Sequence, residues 1–240
     1  MKFVLDSLLA PIARLAVARG VLFAEVAEHL KRQFVAAAED RIVGKVTDSR
    51  ISVMTGLQRR DIVRLRAEAS PPAPPVNHLS RLVARWVAQG GDPLPRKGAQ
   101  SFDTLAQDIR RDVHPATMLA QLTDAGTVRL EPDDLVVLQA RSYQPLPGTD
   151  AQMDYLARNG GDFLSAATAN VLHDPAPFFE RAVHYSHLSE EAVAMLEAEY
   201  RTAQMQLLGQ INAKAVALQD SHPGQTRFRA GGYFYKETAE

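Results

Sequence analysis

The chain has 240 residues, with 27 Lys and Arg against 28 Asp and Glu, so its formal net charge is −1. Hydrophobic residues make up 46% and charged residues 23%, proportions that exclude a disordered or uniformly basic protein. The absence of Cys excludes disulfides, thiolate metal sites and cysteine nucleophiles. No apolar run approaches the ~20 residues that a bilayer requires, and the uncharged run at 7–13 is short for a signal peptide. We therefore expect a cytoplasmic protein.

Charge is distributed unevenly along the chain. Residues 1–70 carry 12 basic and 8 acidic side chains, and residues 71–141 carry 8 of each. Residues 142–240 carry 7 basic and 12 acidic side chains. A basic first third joined to an acidic last third predicts an anionic partner for the N-terminal end alone.

Proline-rich breaks divide the chain into three predicted modules. Residues 71–75 contain four prolines and predict an extended linker, and residues 143–148 form a second break. The predicted fold is mainly α. It has a helix-turn-helix domain at 1–70, a winged-helix domain at 76–141, and an α+β C-terminal domain with one long helix at 150–240.

The first module is predicted to be entirely helical. Apolar residues recur at helical spacing in two stretches, and Gly20 between them is a plausible C-terminal cap. The first stretch contains Leu5, Leu8, Leu9, Ile12 and Leu15, and the second, of about 17 residues, contains Phe23, Val26, Ala27, Leu30 and Phe34. Thr47, Asp48 and Ser49 are typical N-cap residues and predict that a third helix begins there.

Residues 48–65 have the spacing of a helix-turn-helix. Gly56 allows the tight turn that two steeply crossed helices require, and the small Ser52 four residues earlier lets them approach. The residues predicted to point from both helices into a shared core are Ile51, Leu57, Ile62 and Leu65.

The outer face of the second helix is predicted to enter the major groove of duplex DNA. Arg can hold guanine or a phosphate with two hydrogen bonds, and Gln can pair with adenine. Hydroxyls and amides at the start of the first helix are predicted to hold a backbone phosphate. The predicted DNA-binding residues are Lys45, Thr47, Ser49, Arg50, Gln58, Arg59, Arg60 and Arg64. The alternative is a surface helix whose arginines are solvated. Asp61 slightly favours this alternative, because it faces the same side as the arginines or pairs with one of them.

The second module has the element order of a winged helix. Helical stripes near 79–87, 102–109 and 116–122 precede two β-rich runs, 127–130 and 135–138, around a polar turn. The candidate recognition helix has no Lys or Arg, and the hairpin tip contains Glu131, Asp133 and Asp134. Because an acidic tip repels phosphate, this module is expected to pack or to contact protein rather than to grip DNA.

The third module is predicted to mix helices and strands. A helical stretch near 151–172 is broken at Gly160-Gly161, strand-like runs follow at 178–185 and 227–235, and a long helix covers 189–219. The apolar face of the long helix exceeds what one small sheet can cover, which predicts a homodimer through residues 150–240. An intramolecular bundle with 151–172 is the alternative, and the tail strand could pair with 178–185 of the same or a neighbouring chain.

Most of the chain resembles a bacterial family described only as a domain of unknown function. The resemblance lies in residues 14–20, 44–65, 102–138 and 188–219 and in the aromatic tail 233–235. Members of that family are usually described as helix-turn-helix-containing, so the resemblance implies DNA binding and transfers no catalytic or ligand residue. In outline the chain is also similar to tandem winged-helix proteins, such as chromosome-organising partner subunits and plasmid replication initiators.

No sequence motif points to catalysis. The chain has neither a phosphate-binding glycine loop nor a nucleophile elbow, and His184 and His187 would lie on opposite faces of a strand. We therefore predict a dimeric transcriptional regulator that binds specific double-stranded DNA, with no enzymatic activity, metal, cofactor or membrane partner. Two other functions stay open: a tandem winged-helix scaffold that binds another protein, and a ligand-gated sensor that uses Phe178, Phe179, Tyr233 and Tyr235.

Overall fold

The computed structural model describes residues 2–68, 77–140, 143–172 and 177–237. They are mainly helical, with a small antiparallel sheet of three strands and a long C-terminal helix. The chain divides into two compact units, residues 1–73 (unit 1) and residues 74–240 (unit 2). The predicted linker at 71–75 lies outside the described residues.

Unit 1 is helical in all its described elements, as predicted. The helices are α1 (Lys2–Ala18), α2 (Phe23–Arg41), α3 (Asp48–Thr55) and α4 (Arg59–Ala67). The last three pack on one another, and α1 buries no residue. Their core consists of Val35, Ala38, Ile42, Ile51, Ile62 and Leu65, with Val46 and Leu57 packed against it. The core residues predicted from the spacing around Gly56 are therefore confirmed.

Unit 2 begins with helices that enclose a three-stranded sheet. Its elements are α5 (His78–Ala88), β1 (Leu94–Pro95), α6 (Phe102–Ile109), α7 (Pro115–Asp124), β2 (Val128–Leu130) and β3 (Leu135–Leu138). The predicted hairpin is confirmed as β2 and β3, and β1, which was not predicted, pairs with the other edge of β3. Trp86 and Phe102 meet edge to face in the core, with ring centroids 6.0 Å apart.

Two long helices complete unit 2. These are α8 (Asp150–Val171) and α9 (Glu190–Ser221), and the second confirms the predicted long helix. Helix α9 packs against α5, and the Asn212 Nδ2 donates a hydrogen bond to the Ala84 carbonyl at 3.0 Å. The predicted second and third modules therefore belong to one unit.

Three predictions for the third module are wrong. Helix α8 continues through Gly160 and Gly161, because a helical glycine costs only about 1 kcal/mol relative to Ala. Residues 178–185 and 227–235 form no strand within the described chain, since β-prone segments become strands only when a neighbouring strand accepts their hydrogen bonds. Over its described residues the third module is therefore helical with irregular segments, rather than α+β.

Candidate nucleic-acid interface

The turn between α3 and α4 is built from the residues that the spacing singled out. Gly56 has φ +76°, a left-handed conformation that ends α3, and its amide donates to the Ser52 carbonyl at 2.9 Å. The Ser52 hydroxyl donates to the Leu57 carbonyl at 2.8 Å, and the Leu57 amide donates to the Thr55 hydroxyl at 3.2 Å. The small residue at position 52 therefore also fixes the turn by a hydrogen bond.

The start of α3 is fixed by two of the predicted DNA-binding residues. The Thr47 hydroxyl accepts the Arg50 amide at 3.3 Å and caps the helix. The Arg50 guanidinium donates to the carbonyls of Val43 and Lys45 at 3.2 and 2.9 Å. Thr47 and Arg50 thus hold the loop before α3, while Lys45 and Ser49 are exposed beside them.

The N-terminus of α4 presents unpaired cations to solvent. Gln58 occupies the N-cap position without a side-chain capping bond, and Arg59 and Arg60 follow in the first turn. All three are exposed, and neither arginine has an acidic partner among the described residues. The first amides of a helix also lack internal acceptors, so hydrogen-bond donors and positive charge converge at this end of α4.

The C-terminal half of α4 is electrostatically different. Arg64 donates to Glu68 at 2.7 Å and to Glu28 of α2 at 2.5 Å. Arg66 donates to Glu39 of α2 at 2.7 Å and to Asp48 of α3. These arginines therefore connect α4 to its neighbouring helices.

Two carboxylates of this network respond to their cationic neighbours. Hydrogen bonds from Lys31 and Arg64 lower the pKa of Glu28 to about 2. Bonds from Arg32 and Arg64 likewise lower the pKa of Glu68. Asp61 lies 3.9 Å from Arg64 and 4.0 Å from Lys31 of α2, within the same network. It forms no ion pair with the arginines of the first turn.

Helix α7 and the β2–β3 hairpin of unit 2 differ in charge from the start of α4. Helix α7 exposes Thr117, Gln121 and Thr123 and contains no Lys or Arg. At the hairpin tip, Arg129 forms an ion pair with Glu131, and Arg96 lies 3.7 Å from Asp134. Helix α7 therefore lacks the exposed arginines found at the start of α4, and the hairpin tip is rich in acidic side chains.

Sequence patterns did not reveal the ion pairs that join α2 to α4. Arg32 pairs with Glu68, and Glu28 with Arg64, each across 36 residues of sequence. In this network only the short-range pairs, Arg64 with Glu68 or Asp61 and Lys31 with Glu28, have a spacing that predicts contact. The ion pairs between helices could therefore not be predicted.

Unit 1 thus contains a compact three-helix core with a cationic helix N-terminus on its surface. The protein-family model described as "Family of unknown function (DUF6502)" matches residues 3–237, and the chain belongs to this family. Comparisons with curated proteins and with solved structures give no match. Within the described ranges, no helix combines the length and apolarity needed to cross a membrane.

Proposed function

We propose that this protein binds specific double-stranded DNA through a helix-turn-helix formed by α3 and α4, and that it acts as a dimeric transcriptional regulator. One observation carries the proposal. Arg59 and Arg60 are exposed at the start of α4 without an acidic partner in the described chain, whereas Arg64 and Arg66 are paired. Positive charge is thus left available at the N-terminus of α4, next to the turn.

The position of these arginines favours an anionic ligand. A cation at a helix N-terminus is repelled by the positive end of the helix dipole, so Arg59 and Arg60 do not stabilise α4 in the free protein. A phosphate or a guanine edge at that position would accept their hydrogen bonds and those of the unpaired amides. Gln58 lies beside them and supplies an amide that can pair with adenine.

In this proposal the remaining predicted residues divide into two roles. Lys45 and Ser49 are exposed next to α3 and are assigned to backbone phosphates. Thr47, Arg50 and Arg64 are positioning residues, because their side chains already bond within unit 1.

The first part of unit 2 is proposed to be a winged helix that does not grip DNA. The order α5, β1, α6, α7, β2, β3 and the sheet order β1–β3–β2 support the winged-helix assignment. The absence of Lys and Arg from α7 and the acidic tip at Glu131, Asp133 and Asp134 oppose close approach to phosphates. A contact with protein is the better use of this surface.

Binding to a labelled mixed-sequence duplex, followed by anisotropy between about 50 and 200 mM salt, tests the proposal. We expect Arg59→Ala/Arg60→Ala to lower affinity about tenfold or more and to reduce the salt slope by about 2. The control is Arg111→Ala/Lys214→Ala, which removes two exposed cations of unit 2 and should bind as the parent does. Equal losses in both variants, or no binding by the parent at the lowest salt, would reject the proposal.

The tandem winged-helix scaffold is the second candidate, and it is favoured by the absence of Lys and Arg from α7 and by the acidic tip of the β2–β3 hairpin. A scaffold needs no cationic surface on α4. Parent protein and Arg59→Ala/Arg60→Ala would then leave a heparin column at the same low salt concentration, whereas a DNA-binding parent should elute later than the variant.

A further inference from the structure

The C-terminal part of unit 2 has no buried side chain. From residue 146 to residue 237, every described residue is exposed or half-buried. This range includes α8 and α9, of 22 and 32 residues. Helices in folded proteins gain most of their stability from packing against other elements. Two long helices without a buried residue therefore indicate that part of their packing is supplied from outside the single chain.

The exposed apolar surface is large enough for a stable interface. Within the described residues 146–237, 21 large apolar side chains are at least 38% exposed. At roughly 170 Å² for a fully exposed large apolar side chain, averaged over aromatic and aliphatic residues, their exposed fractions correspond to roughly 2,000 Å² in total. A standard interface buries about 800 Å² per partner, so less than half of this summed area would supply one.

The segment at 178–188 has the least cover. Every residue in it is exposed, and among the described residues no backbone–backbone hydrogen bond involves 179–188. Among the described residues the segment is held near its start, where the Asn170 side chain bonds the amide and carbonyl of Phe178 at 2.8 and 3.2 Å and donates to the Glu180 carboxylate at 2.9 Å. Phe179 and Val183 are each 89% exposed. Apart from the two Phe178 groups and the Glu180 carbonyl, which accepts a bond from Arg181 at 2.6 Å, its apolar groups and its backbone donors and acceptors are available to a partner.

The C-terminal tail, residues 222–237, packs on part of α8 and α9 but leaves most of their exposed apolar side chains uncovered. Tyr233 packs on Phe163 of α8 with ring centroids 6.0 Å apart, and Phe234 packs on Tyr200 of α9 at 5.7 Å. Although Tyr233 packs on Phe163, it remains 65% exposed. Intramolecular packing by the tail therefore does not account for the apolar surface.

We propose that a second copy of this chain covers segment 178–188 and the exposed apolar faces of α8 and α9. The area is sufficient for a stable dimer, and a partner of equal abundance is available to cover such a surface. Residues 142–240 carry 12 acidic and 7 basic side chains, which opposes nucleic acid or an anionic membrane as the occupant. This inference specifies the dimer of the proposed function and does not depend on DNA binding.

Single thiols in the otherwise cysteine-free full chain test the proposal. Val183→Cys and Val43→Cys form a matched pair, because both valines are 89% exposed and Val43 lies in unit 1. With a second copy in place, the thiol at 183 should react with a maleimide at least tenfold more slowly than the thiol at 43, and dilution should abolish the difference.

A second variant separates self-association from other causes. Val183→Asp should shift the sedimentation of the chain from dimer towards monomer, while Val43→Asp should leave the dimer intact. Because both side chains are exposed in the single chain, neither substitution removes a core contact. A parent that sediments as a monomer, equal thiol reactivity at all concentrations, or protection that persists on dilution of a monomer would overturn the proposal. A dimer that fails to bind duplex DNA would reject only the proposed function.

Discussion

Arg59 and Arg64 lie five residues apart on α4, yet they have opposite electrostatic surroundings. Arg64 is paired with Glu28 and Glu68, and these bonds raise its pKa. Arg59 is exposed and has no ion pair in the described part of the chain. Arg64 therefore stabilises unit 1, whereas Arg59 remains available to bind an anion.

This contrast predicts that the two arginines respond differently to truncation. Arg64→Ala should speed amide hydrogen exchange in α4 and in the part of α2 near Glu28, because it removes the bonds that join these helices. Arg59→Ala should leave exchange in both helices unchanged. Exchange measured by mass spectrometry on the full chain checks this, and similar acceleration in both variants would contradict it.

The lowered pKa of Glu28 predicts acid sensitivity of unit 1. Its pKa in the folded chain is about 2, below the usual value, so the charged form stabilises the fold at neutral pH. That stabilisation is lost as the pH falls from the unfolded pKa, about 4.3, towards 2. Glu28→Gln should therefore exchange faster in α2 and α4 at pH 7 and differ less from the parent at low pH.

The control for Glu28 is another glutamate of the same helix. Glu25 is exposed, and its side chain has no hydrogen bond or ion pair within the described ranges. Glu25→Gln should exchange as the parent does at both pH values. An equal effect of the two substitutions would show that helix charge, rather than the Lys31 and Arg64 bonds, produces the acid sensitivity.

Two glycines should respond to Ala with opposite signs. Gly56 has φ +76° with no atom within 4 Å of an added Cβ, so Gly56→Ala would introduce backbone strain of about 1–2 kcal/mol without a clash. Gly160 lies inside α8, also with open space around it, and Gly160→Ala should stabilise that helix by about 0.5–1 kcal/mol. Exchange free energies of α4 and α8 measure both effects. Destabilisation by both substitutions would contradict the assigned conformations.

The part of the unit 1 core that α3 and α4 contribute could be predicted from sequence because its determinants are local, whereas the α2 residues Val35, Ala38 and Ile42 were not predicted. Gly56, Ser52 and the apolar residues around them lie within one short stretch, so their spacing alone indicates which side chains meet. The same holds for the hairpin, where two β-rich runs flank a polar turn. In both cases a residue finds its partner close by in the chain.

The C-terminal segments were predicted wrongly because β-propensity has no meaning without a pairing strand. Residues 178–185 and the tail both contain aromatic residues typical of strands, yet they do not pair with each other in the described chain. The tail instead bonds to α8 through Asp162, some 65 residues away. Such distant ion pairs, like that of Glu28 with Arg64, follow from the fold and leave no periodic trace in the sequence.

The attachment of the tail to α8 gives a last prediction. Arg227 donates two hydrogen bonds to Asp162, each of 2.9 Å, and Arg229 donates a third of 2.7 Å. These bonds hold the pKa of Asp162 well below its usual value, so the attachment is present at neutral pH and is lost only in strong acid.

Asp162→Asn should release the tail at pH 7 and speed trypsin cleavage after Arg227 and Arg229. Asp154→Asn, which alters an exposed aspartate of α8 without a partner in the described ranges, should be cleaved as slowly as the parent. If both variants are cleaved at the parent rate, the other contacts of the tail, which include the Lys236–Glu197 ion pair and the aromatic contacts, would suffice to hold it.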